Sequence, residues 1–581
     1  MLNRLRPGRA SGVPGVLLFL YLLLGSPLLQ AGPGQHAVAS AHPLATASAE
    51  AILAAGGNAF DAAIAATAAL GVVEPQGSGL GGGGFFLLHQ AGEARSVMLD
   101  ARETAPGAAH PDLYLDADGE LIPGLSLDGP LAAAIPGTPA ALVHLAEHYG
   151  RLSLAESLVP AIRLAENGFS VDATFLQMAR FRLQALRDGA DAADIFLRDG
   201  GLPAEGERIV QPELAATLRR LAEQGQAGFY RGEIAERLVD GVRVAGGIWT
   251  LEDLAGYAVV ERAPVVLHYR GARIVTASPP SSGGIAIGQI LNMLAAEGNG
   301  YGDDEALRVH LLVEAMRRAY RDRAVYLGDP DHVDIPVARL LSAEYAADLR
   351  ADIDPDQATP SADLPLLAAS AQMQLAAVGR ESGQTTHFSV IDADGNRVAA
   401  TITLNYPFGS GFIPPGTGVL LNNEMDDFSA RPGVPNVYGL IGFEANAIRP
   451  QRRPLSSMSP TFVETEGRIA VLGTPGGSRI ITMVLQGILA TLDGADAEEM
   501  VRARRFHHQY LPDRIEYETG ALPSPVQLEL ARRGHALAPQ LRPFGNMQVV
   551  LWDRAQGRLE AASDPRGNGS AVVLLPAAAQ F

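Results

Sequence analysis

The stretch GQTTHFSVIDADGNRVAATITLN, residues 383–405, decides how the rest of the chain is interpreted. Its two halves, TTHFSVI and VAATITL, are rich in β-branched and aromatic residues, and DADGN between them has the composition of a tight turn. The sequence therefore predicts a hairpin of two antiparallel strands. If Asp392 faces Arg397 across the turn, Thr386 lies beside Thr403, with a margin of one residue in register.

This pairing brings a second hydroxyl, that of Thr403, and the side-chain amide of Asn405 close to Thr385. A threonine hydroxyl is a weak nucleophile and needs a base, which can be a histidine, a lysine or its own α-amino group if the threonine is N-terminal. An α-amine has a pKa of about 7.7 to 8, which suits a general base near neutral pH. Because Thr385 lies within the chain, cleavage of the Gln384–Thr385 bond would create nucleophile and base together.

His387 competes with the α-amine for the role of base. On a strand it faces the same side as Thr385, but two residues span about 6.6 Å, which is too far for a direct hydrogen bond. A packed or hydrogen-bonded core histidine is therefore the favoured interpretation of His387.

A series of motifs runs along the chain: GGNAFDAAIAA, GLGGGGF, LDARETAP, IPGTPAAL and PPSSGG before the hairpin, then TTHFSVIDADGN, TLN, LLNNEMDDFS, RPLSSMSPT and GTPGGSRI. In this order they resemble the motifs of the γ-glutamyltranspeptidases (glutathione hydrolases), a family of autoprocessed N-terminal-nucleophile hydrolases. The resemblance implies an α/β fold, an αββα sandwich in which two stacked, mainly antiparallel sheets are flanked by helices. It also implies cleavage between Gln384 and Thr385 into a large subunit, residues 33–384, and a small subunit, residues 385–581, which stay together as a heterodimer.

The resemblance further implies how an amino-acid group would be recognised. Arg102 would bind the α-carboxylate of a γ-glutamyl group, for which a planar guanidinium is suited, and Ser456 and Ser457 would hydrogen-bond the same carboxylate. Glu424 and Asp427, on the opposite side, would accept hydrogen bonds from the α-ammonium. Without the resemblance, Arg102 would be interpreted as a structural ion pair and the two serines as turn hydroxyls.

Besides the nucleophile Thr385, four residues are expected to take part in the reaction. By resemblance, Thr403 and Asn405 would orient the nucleophile, with Asn405 also touching the substrate, and the backbone N–H groups of Gly476 and Gly477 would form an oxyanion hole. A glycine pair is otherwise most simply a turn. The Gly/Pro-rich segment 427–446 resembles the lid loop of bacterial members, with Tyr438 in the gating position.

Other patterns point to no cofactor or metal. Gly77, Gly79 and Gly82 match G-x-G-x-x-G, but they follow a predicted helix and open a strand, which is the reverse of a dinucleotide site. The acidic run LLNNEMDDFS lacks EF-hand spacing, although clustered carboxylates also suit calcium or an acid–base pair. His507 and His508 have no ligand at i+4 spacing.

The regions between these motifs predict a scaffold. Residues 42–73 predict two buried helices separated at Gly56, with Asn58 as N-cap of the second. Residues 139–349 are interpreted as helix-rich, with no group of residues that would carry chemistry.

Bulk composition limits the compartment and the partners. The net charge of −19, from 45 basic and 64 acidic residues, argues against nucleic acid as a partner. Residues 1–32 combine three arginines, a short apolar run and small residues, as a signal peptide does. They contain no clean A-x-A cleavage motif, so an uncleaved anchor is the alternative. The chain has no cysteine, so disulfides and thiolate chemistry are excluded. A periplasmic or secreted protein is expected.

The expected activity is transfer of the γ-glutamyl group of glutathione and related γ-glutamyl compounds, through a γ-glutamyl-Thr385 ester, to water or to amino-acid or dipeptide acceptors. A cephalosporin (glutaryl) acylase of the same fold is the nearest alternative. Glu424 and Asp427 discriminate between the two, because a glutaryl group has no ammonium. An exported, non-catalytic binding protein is a third interpretation.

Overall fold

A computed structural model describes residues 32–295, 304–364 and 385–575 of the chain. Residues 1–31 of the predicted signal peptide and Gln384 at the predicted cleavage site lie outside these ranges. Among the described residues, no helix is both long and apolar enough to cross a bilayer.

The strands of the described residues are, in chain order, β1 (His36–Ser40), β2 (Gly83–Gln90), β3 (Arg95–Ala101), β4 (Phe169–Ser170), β5 (Arg208–Ile209), β6 (Val260–Arg262), β7 (Val265–Tyr269), β8 (Ala272–Thr276), β9 (Thr386–Ile391), β10 (Arg397–Thr403), β11 (Thr461–Glu464), β12 (Arg468–Gly473), β13 (Phe506–His507), β14 (Ile515–Glu518), β15 (Leu537–Gln540), β16 (Gln548–Asp553), β17 (Arg558–Ser563) and β18 (Ser570–Leu574).

The helices of the same residues are α1 (Pro43–Ala54), α2 (Ala59–Val73), α3 (Thr138–His148), α4 (Leu154–Asn167), α5 (Ala173–Phe181), α6 (Leu183–Asp188), α7 (Ala190–Phe196), α8 (Pro212–Gln224), α9 (Ala227–Tyr230), α10 (Gly232–Val244), α11 (Leu251–Gly256), α12 (Gly283–Ala295), α13 (Glu305–Tyr326), α14 (Val337–Leu340), α15 (Ala343–Ala351), α16 (Ile480–Leu492), α17 (Ala497–Arg502) and α18 (Ser524–Arg532).

Two large antiparallel sheets form the centre of the fold. One has the strand order β18-β1-β9-β10-β2-β3-β6 and the other β17-β16-β12-β11-β8-β7. Smaller sheets join β13, β14 and β15, and β4 with β5. Both large sheets mix strands from before and after the predicted cleavage point. The two predicted subunits would therefore share both sheets.

Period-two alternation along the central strands produces the layers. On β2, Phe85 and Leu87 belong to the apolar cluster that also contains Val471 of β12, whereas Phe86 and Leu88 belong to the cluster of α1, α2 and α4. Helices α12 and α16 pack against the second sheet. The predicted αββα sandwich is confirmed.

The predicted helix pair of residues 42–73 is confirmed as α1 and α2. The side chain of Asn58 accepts hydrogen bonds from the N–H groups of Phe60 and Asp61, and the Asp61 carboxylate accepts from the N–H of Asn58, which completes a capping box. Because α2 consists largely of alanine and other small apolar residues, it is buried nearly all round.

The hairpin has the predicted strands, with a register one residue away from the predicted one. Arg397 pairs with Ile391 rather than with Asp392, and Ile402 pairs with Thr386. Asp392 instead belongs to the turn, where its carboxylate accepts from the N–H groups of Asp394 and Asn396. This shift brings Thr403 opposite Thr385.

The segment 139–349 is helix-rich, as predicted, and carries most of α3 to α15. It also contributes β6 to the first sheet and β7 and β8 to the second. In β7, VVLHY, residues alternate between buried and exposed, which is the pattern of an edge strand with one face on the core.

Candidate active site

A small cleft lies at the end of the hairpin strands. It is lined by Arg102, Thr385, Thr403, Asn405, Glu424, Asp427, Tyr438, Leu440, Ser456, Ser457, Met458, Gly477 and Ile480. The structure thus brings together residues from predicted motifs that are far apart in sequence. Of the other predicted site residues, Gly476 adjoins the lining at Gly477, and Gln384 lies outside the described residues.

The hydroxyl groups of Thr385 and Thr403 are 3.1 Å apart. The Thr403 hydroxyl oxygen accepts a hydrogen bond of 2.8 Å from the backbone N–H of Asn405, so its own hydrogen can point to Thr385. Asn405 has a positive φ of 74°, and its side-chain amide donates to the carbonyl of Asn423 at 2.9 Å. The turn after β10 therefore fixes the position of the second hydroxyl.

His387 has other partners than Thr385. Its Nδ1 lies 2.8 Å from the hydroxyl of Thr401, and its Nε2 lies 3.2 Å from that of Ser389. Burial lowers the pKa of His387 to about 3, so the ring is neutral near pH 7. The ring packs on the backbone at Gly473. His387 is a hydrogen-bonded core residue, as the strand spacing predicted.

Arg102 forms the centre of a buried charge cluster. Its guanidinium donates hydrogen bonds to Glu424, to Asp427 at 2.5 Å, and to the carbonyls of Pro454 and Leu455 at 3.1 and 3.2 Å. The sequence had suggested acids on the side of a pocket opposite Arg102, whereas here they contact it directly. Burying an unpaired guanidinium costs free energy, so the buried Arg102 depends on its pairing with Glu424 and Asp427.

Burial favours the uncharged form of each group in this cluster, so it acts to lower the pKa of the arginine and to raise the pKa values of the acids. Burial alone lowers the pKa of Arg102, but Glu424 and Asp427 outweigh it and hold that pKa above its ordinary range. Burial raises the pKa of Glu424 well above its usual value and that of Glu103 to about 7, while Arg102 opposes both shifts. Neither side-chain oxygen of Glu103 nor Oε2 of Glu424 has a hydrogen-bond partner among the described residues.

Gly476 and Gly477 lead into α16 through a short 3₁₀ turn, Gly477–Arg479. Both have positive φ, 145° and 54°, which favours glycine. A Cβ atom on Gly477 would lie only 2.6 Å from the ring of Tyr438. Their N–H groups lie at the start of a helix, where partial positive charge favours a developing oxyanion.

The segment 427–446 covers the cleft through Tyr438. The hydroxyl of Tyr438 donates to the carbonyl of Asn405, and its own carbonyl accepts from the side chain of Gln509 at 3.0 Å. Asn436 ties the segment to Asp427 with a hydrogen bond of 3.1 Å. Tyr438 is buried, so this segment lies closed over the threonine pair.

Ser456 and Ser457 are held by residues that precede the predicted cleavage point. The backbone carbonyl of Ser456 accepts from the hydroxyl of Ser282 at 2.6 Å, and the hydroxyl of Ser457 accepts from Arg323 at 3.4 Å. Arg323 was missed by the sequence analysis, which treated its helix as scaffold. The available signal was an arginine sharing a face of α13 with Ala319, one turn earlier, on an apolar stripe.

A second cluster, His310, Glu314 and His535, has ligand-type atoms within 4.8 Å of one another. Its groups already have partners: His310 lies 2.8 Å from His535, and Glu314 accepts hydrogen bonds from Arg317 and Arg318. Two neighbouring guanidinium groups oppose a divalent cation, so the cluster is better described as a buried hydrogen-bond network.

Known proteins are similar to this chain over nearly its whole length. A profile of the family described as Gamma-glutamyltranspeptidase matches residues 45–574. The glutathione hydrolase proenzyme of Pseudomonas sp. (strain A14) is 43% identical over 534 residues, covering 89% of this chain and 90% of the relative. That of Escherichia coli (strain K12) is 43% identical over 538 residues, covering 92% and 90%.

A solved structure shares the fold over almost the whole length. The cephalosporin acylase from Bacillus halodurans superposes with a TM-score of 0.79 at 30% identity, covering 93% of this chain and 96% of the acylase. The relatives of this chain thus include glutathione hydrolases and a cephalosporin acylase, the two enzyme types expected from the sequence.

Proposed function

Since this chain belongs to the γ-glutamyltranspeptidase family, we propose that the cleft around Thr385 carries out its γ-glutamyltransferase and glutathione hydrolase activity. The observation that carries the assignment is that a hydroxyl pair and an ionic cluster lie in one cleft. The paired hydroxyls of Thr385 and Thr403 lie in the same cleft as the ionic cluster of Arg102, Glu424 and Asp427.

The first step is maturation. The hydroxyl oxygen of Thr385 attacks the carbonyl carbon of Gln384, the peptide C–N bond breaks, and the nitrogen takes a proton to become the α-amine of Thr385. Water then hydrolyses the resulting ester. The products are the subunits 33–384 and 385–581, which remain a heterodimer because β9 and β10 lie between β1 and β2 in one sheet.

In the catalytic step, the α-amine of Thr385 takes the hydroxyl proton as the oxygen attacks the γ-carbonyl of the donor. The N–H groups of Gly476 and Gly477 stabilise the oxyanion. The proton passes to the departing amine, which leaves a γ-glutamyl ester on Thr385. Water, an amino acid or a dipeptide then attacks this ester and restores the hydroxyl, with Thr403 and Asn405 holding the geometry.

Recognition of the donor uses the charge cluster. The donor's α-carboxylate binds Arg102, Ser456 and Ser457, and the donor's α-ammonium binds Glu424 and Asp427. A site that already contains buried charges of both signs suits a zwitterionic substrate, because each charge of the substrate meets a buried group of opposite charge. Glutathione and other γ-glutamyl compounds are therefore the proposed donors.

The acylase is the second candidate, since a cephalosporin acylase shares the fold. A comparison of γ-glutamyl p-nitroanilide with glutaryl p-nitroanilide, which lacks only the α-ammonium, separates the two. We expect kcat/KM to favour the γ-glutamyl donor by about 100-fold or more, because Glu424 and Asp427 would find no α-ammonium to bind on the glutaryl group. Preference for the glutaryl donor would assign the acylase activity instead. No turnover of either would favour a binding protein.

We also propose export through the signal peptide, residues 1–32. Its support is the arrangement of arginines, apolar run and small residues at the start of the chain. N-terminal sequencing of the large subunit from a periplasmic fraction should begin near residue 33. A large subunit that retains its first residues in the membrane fraction would contradict this proposal.

A further inference from the structure

We propose that Arg323 is a positioning residue for the α-carboxylate of the donor, acting through the hydroxyl of Ser457. The proposal rests on the function proposed above. It adds a second cation to carboxylate recognition, from a helix that lies behind Ser457 and contributes no residue to the described lining of the cleft.

Arg323 lies near the end of α13 and is 5% exposed. Its Nε donates to the hydroxyl of Ser282 at 3.0 Å, and its Nη2 donates to the hydroxyl of Ser457 at 3.4 Å. Ser282 in turn donates to the carbonyl of Ser456 at 2.6 Å. Arg323 thus holds, directly or through one hydroxyl, both serines expected to contact the carboxylate.

The charge environment of Arg323 differs from that of its neighbours on α13. Arg317, Arg318 and Arg321 each have a carboxylate oxygen within 4 Å, whereas Arg323 has none among the described residues. Leaving a buried guanidinium without an anion is costly. Burial accordingly lowers its pKa, with the more distant Asp427 acting against this shift. An anion brought to Ser457 would supply what the site lacks.

Arg102 alone is poorly placed to balance a bound carboxylate, since it already pairs with Glu424 and Asp427. Adding the donor's carboxylate places a third negative group beside one guanidinium. Arg323 offsets that charge. Because Ser457 accepts from Arg323, its hydroxyl hydrogen is available to donate to the carboxylate, and a charged donor behind it strengthens that hydrogen bond.

The test uses two donors that differ only in the α-carboxylate: γ-glutamyl p-nitroanilide and 4-aminobutyryl p-nitroanilide. We expect Arg323→Gln to raise KM for the γ-glutamyl donor by roughly 10- to 100-fold with kcat nearly unchanged, the effect of losing a hydrogen bond to a charged group. The constants for the 4-aminobutyryl donor should not change. If its turnover is too slow, its Ki as a competitor of the γ-glutamyl donor replaces KM.

The control is Arg308→Gln, on the same helix but exposed, which should leave all constants unchanged. Equal losses on both donors would assign Arg323 a merely structural role, and an unchanged KM would overturn the proposal. If Arg323→Gln does not yield two soluble chains, Arg323→Lys is compared instead, with a smaller rise again confined to the γ-glutamyl donor. A wild-type protein inactive on that donor would reject the proposed function rather than this inference.

Discussion

At the scale of single residues, the distance of 3.1 Å between the hydroxyls of Thr385 and Thr403 links the fold to the chemistry. Thr403 is itself fixed by the N–H of Asn405, whose positive φ reverses the chain after β10. The second hydroxyl is therefore held before any substrate binds, which lowers the cost of orienting the nucleophile.

Replacing Thr403 with valine keeps the shape of the side chain but removes this hydroxyl. We expect Thr403→Val to lower kcat for the γ-glutamyl donor by about 100-fold or more and to slow chain cleavage, because the hydrogen bond between the two hydroxyls that orients Thr385 is lost. Thr403→Ser, which restores the hydroxyl, should recover most of the rate. Steady-state kinetics and a cleavage time course measure both effects. Equal activity of Thr403→Val and the wild type would refute the role.

Gly477 is expected to be needed for two separable reasons. Its positive φ makes Gly477→Ala cost about 1 to 2 kcal/mol in unfolding free energy, and the new Cβ would collide with Tyr438. Gly557 is a matched control, since its φ is 62° and a Cβ there meets open space. Both alanine variants should lose stability through this strain, with Gly477→Ala losing more because of the collision with Tyr438, but only Gly477→Ala should lose activity. Comparable kcat losses in the two variants would contradict a role for Gly477 at the oxyanion.

At the scale of elements, α2 ends at a buried acid, Glu74, three residues before Gly77. Glu74 is the C-cap residue of α2, where the helix dipole disfavours a negative charge. Its Oε2 has no hydrogen-bond partner among the described residues, and burial raises the pKa of Glu74 to about 7. The folded protein therefore keeps this group protonated at pH values where the unfolded chain ionises it.

Stability should accordingly fall as the pH rises from about 4.5 to 7, because the folded state binds the extra proton in that window. The size of the effect is on the order of 3 kcal/mol. Glu74→Gln, which cannot ionise, should gain in Tm relative to the wild type between pH 5 and pH 8. Exposed Glu147→Gln on α3 should follow the wild type. A constant gap between Glu74→Gln and the wild type would show that Glu74 ionises normally.

Periodic and capped elements were predictable from the sequence, whereas contacts through space were not. The hairpin strands and the α1–α2 pair follow from β-branched runs and from the Asn58 cap. The hairpin register was displaced by one residue because the side chain of Asp392 bonds within the turn. The direct pairing of Arg102 with its acids and the approach of Arg323 to Ser457 depend on packing between distant segments, which local pattern does not encode.

At the scale of the whole molecule, the predicted cleavage point lies between strands of a shared sheet. β9 and β10, which follow Thr385, lie between β1 and β2, which precede it, and β11 pairs with β8 in the second sheet. Two chains so interleaved would have to lose both sheets to separate. Cleavage is thus expected to free an α-amine without dissociating the protein.

Intact-mass analysis with N-terminal sequencing tests this central claim most directly. The purified wild type should consist of two co-eluting chains, the smaller beginning at Thr385 and ending at Phe581. Thr385→Ala, which lacks the attacking hydroxyl, should remain one uncut and inactive chain. A single intact wild-type chain with full γ-glutamyl hydrolase activity would contradict the account.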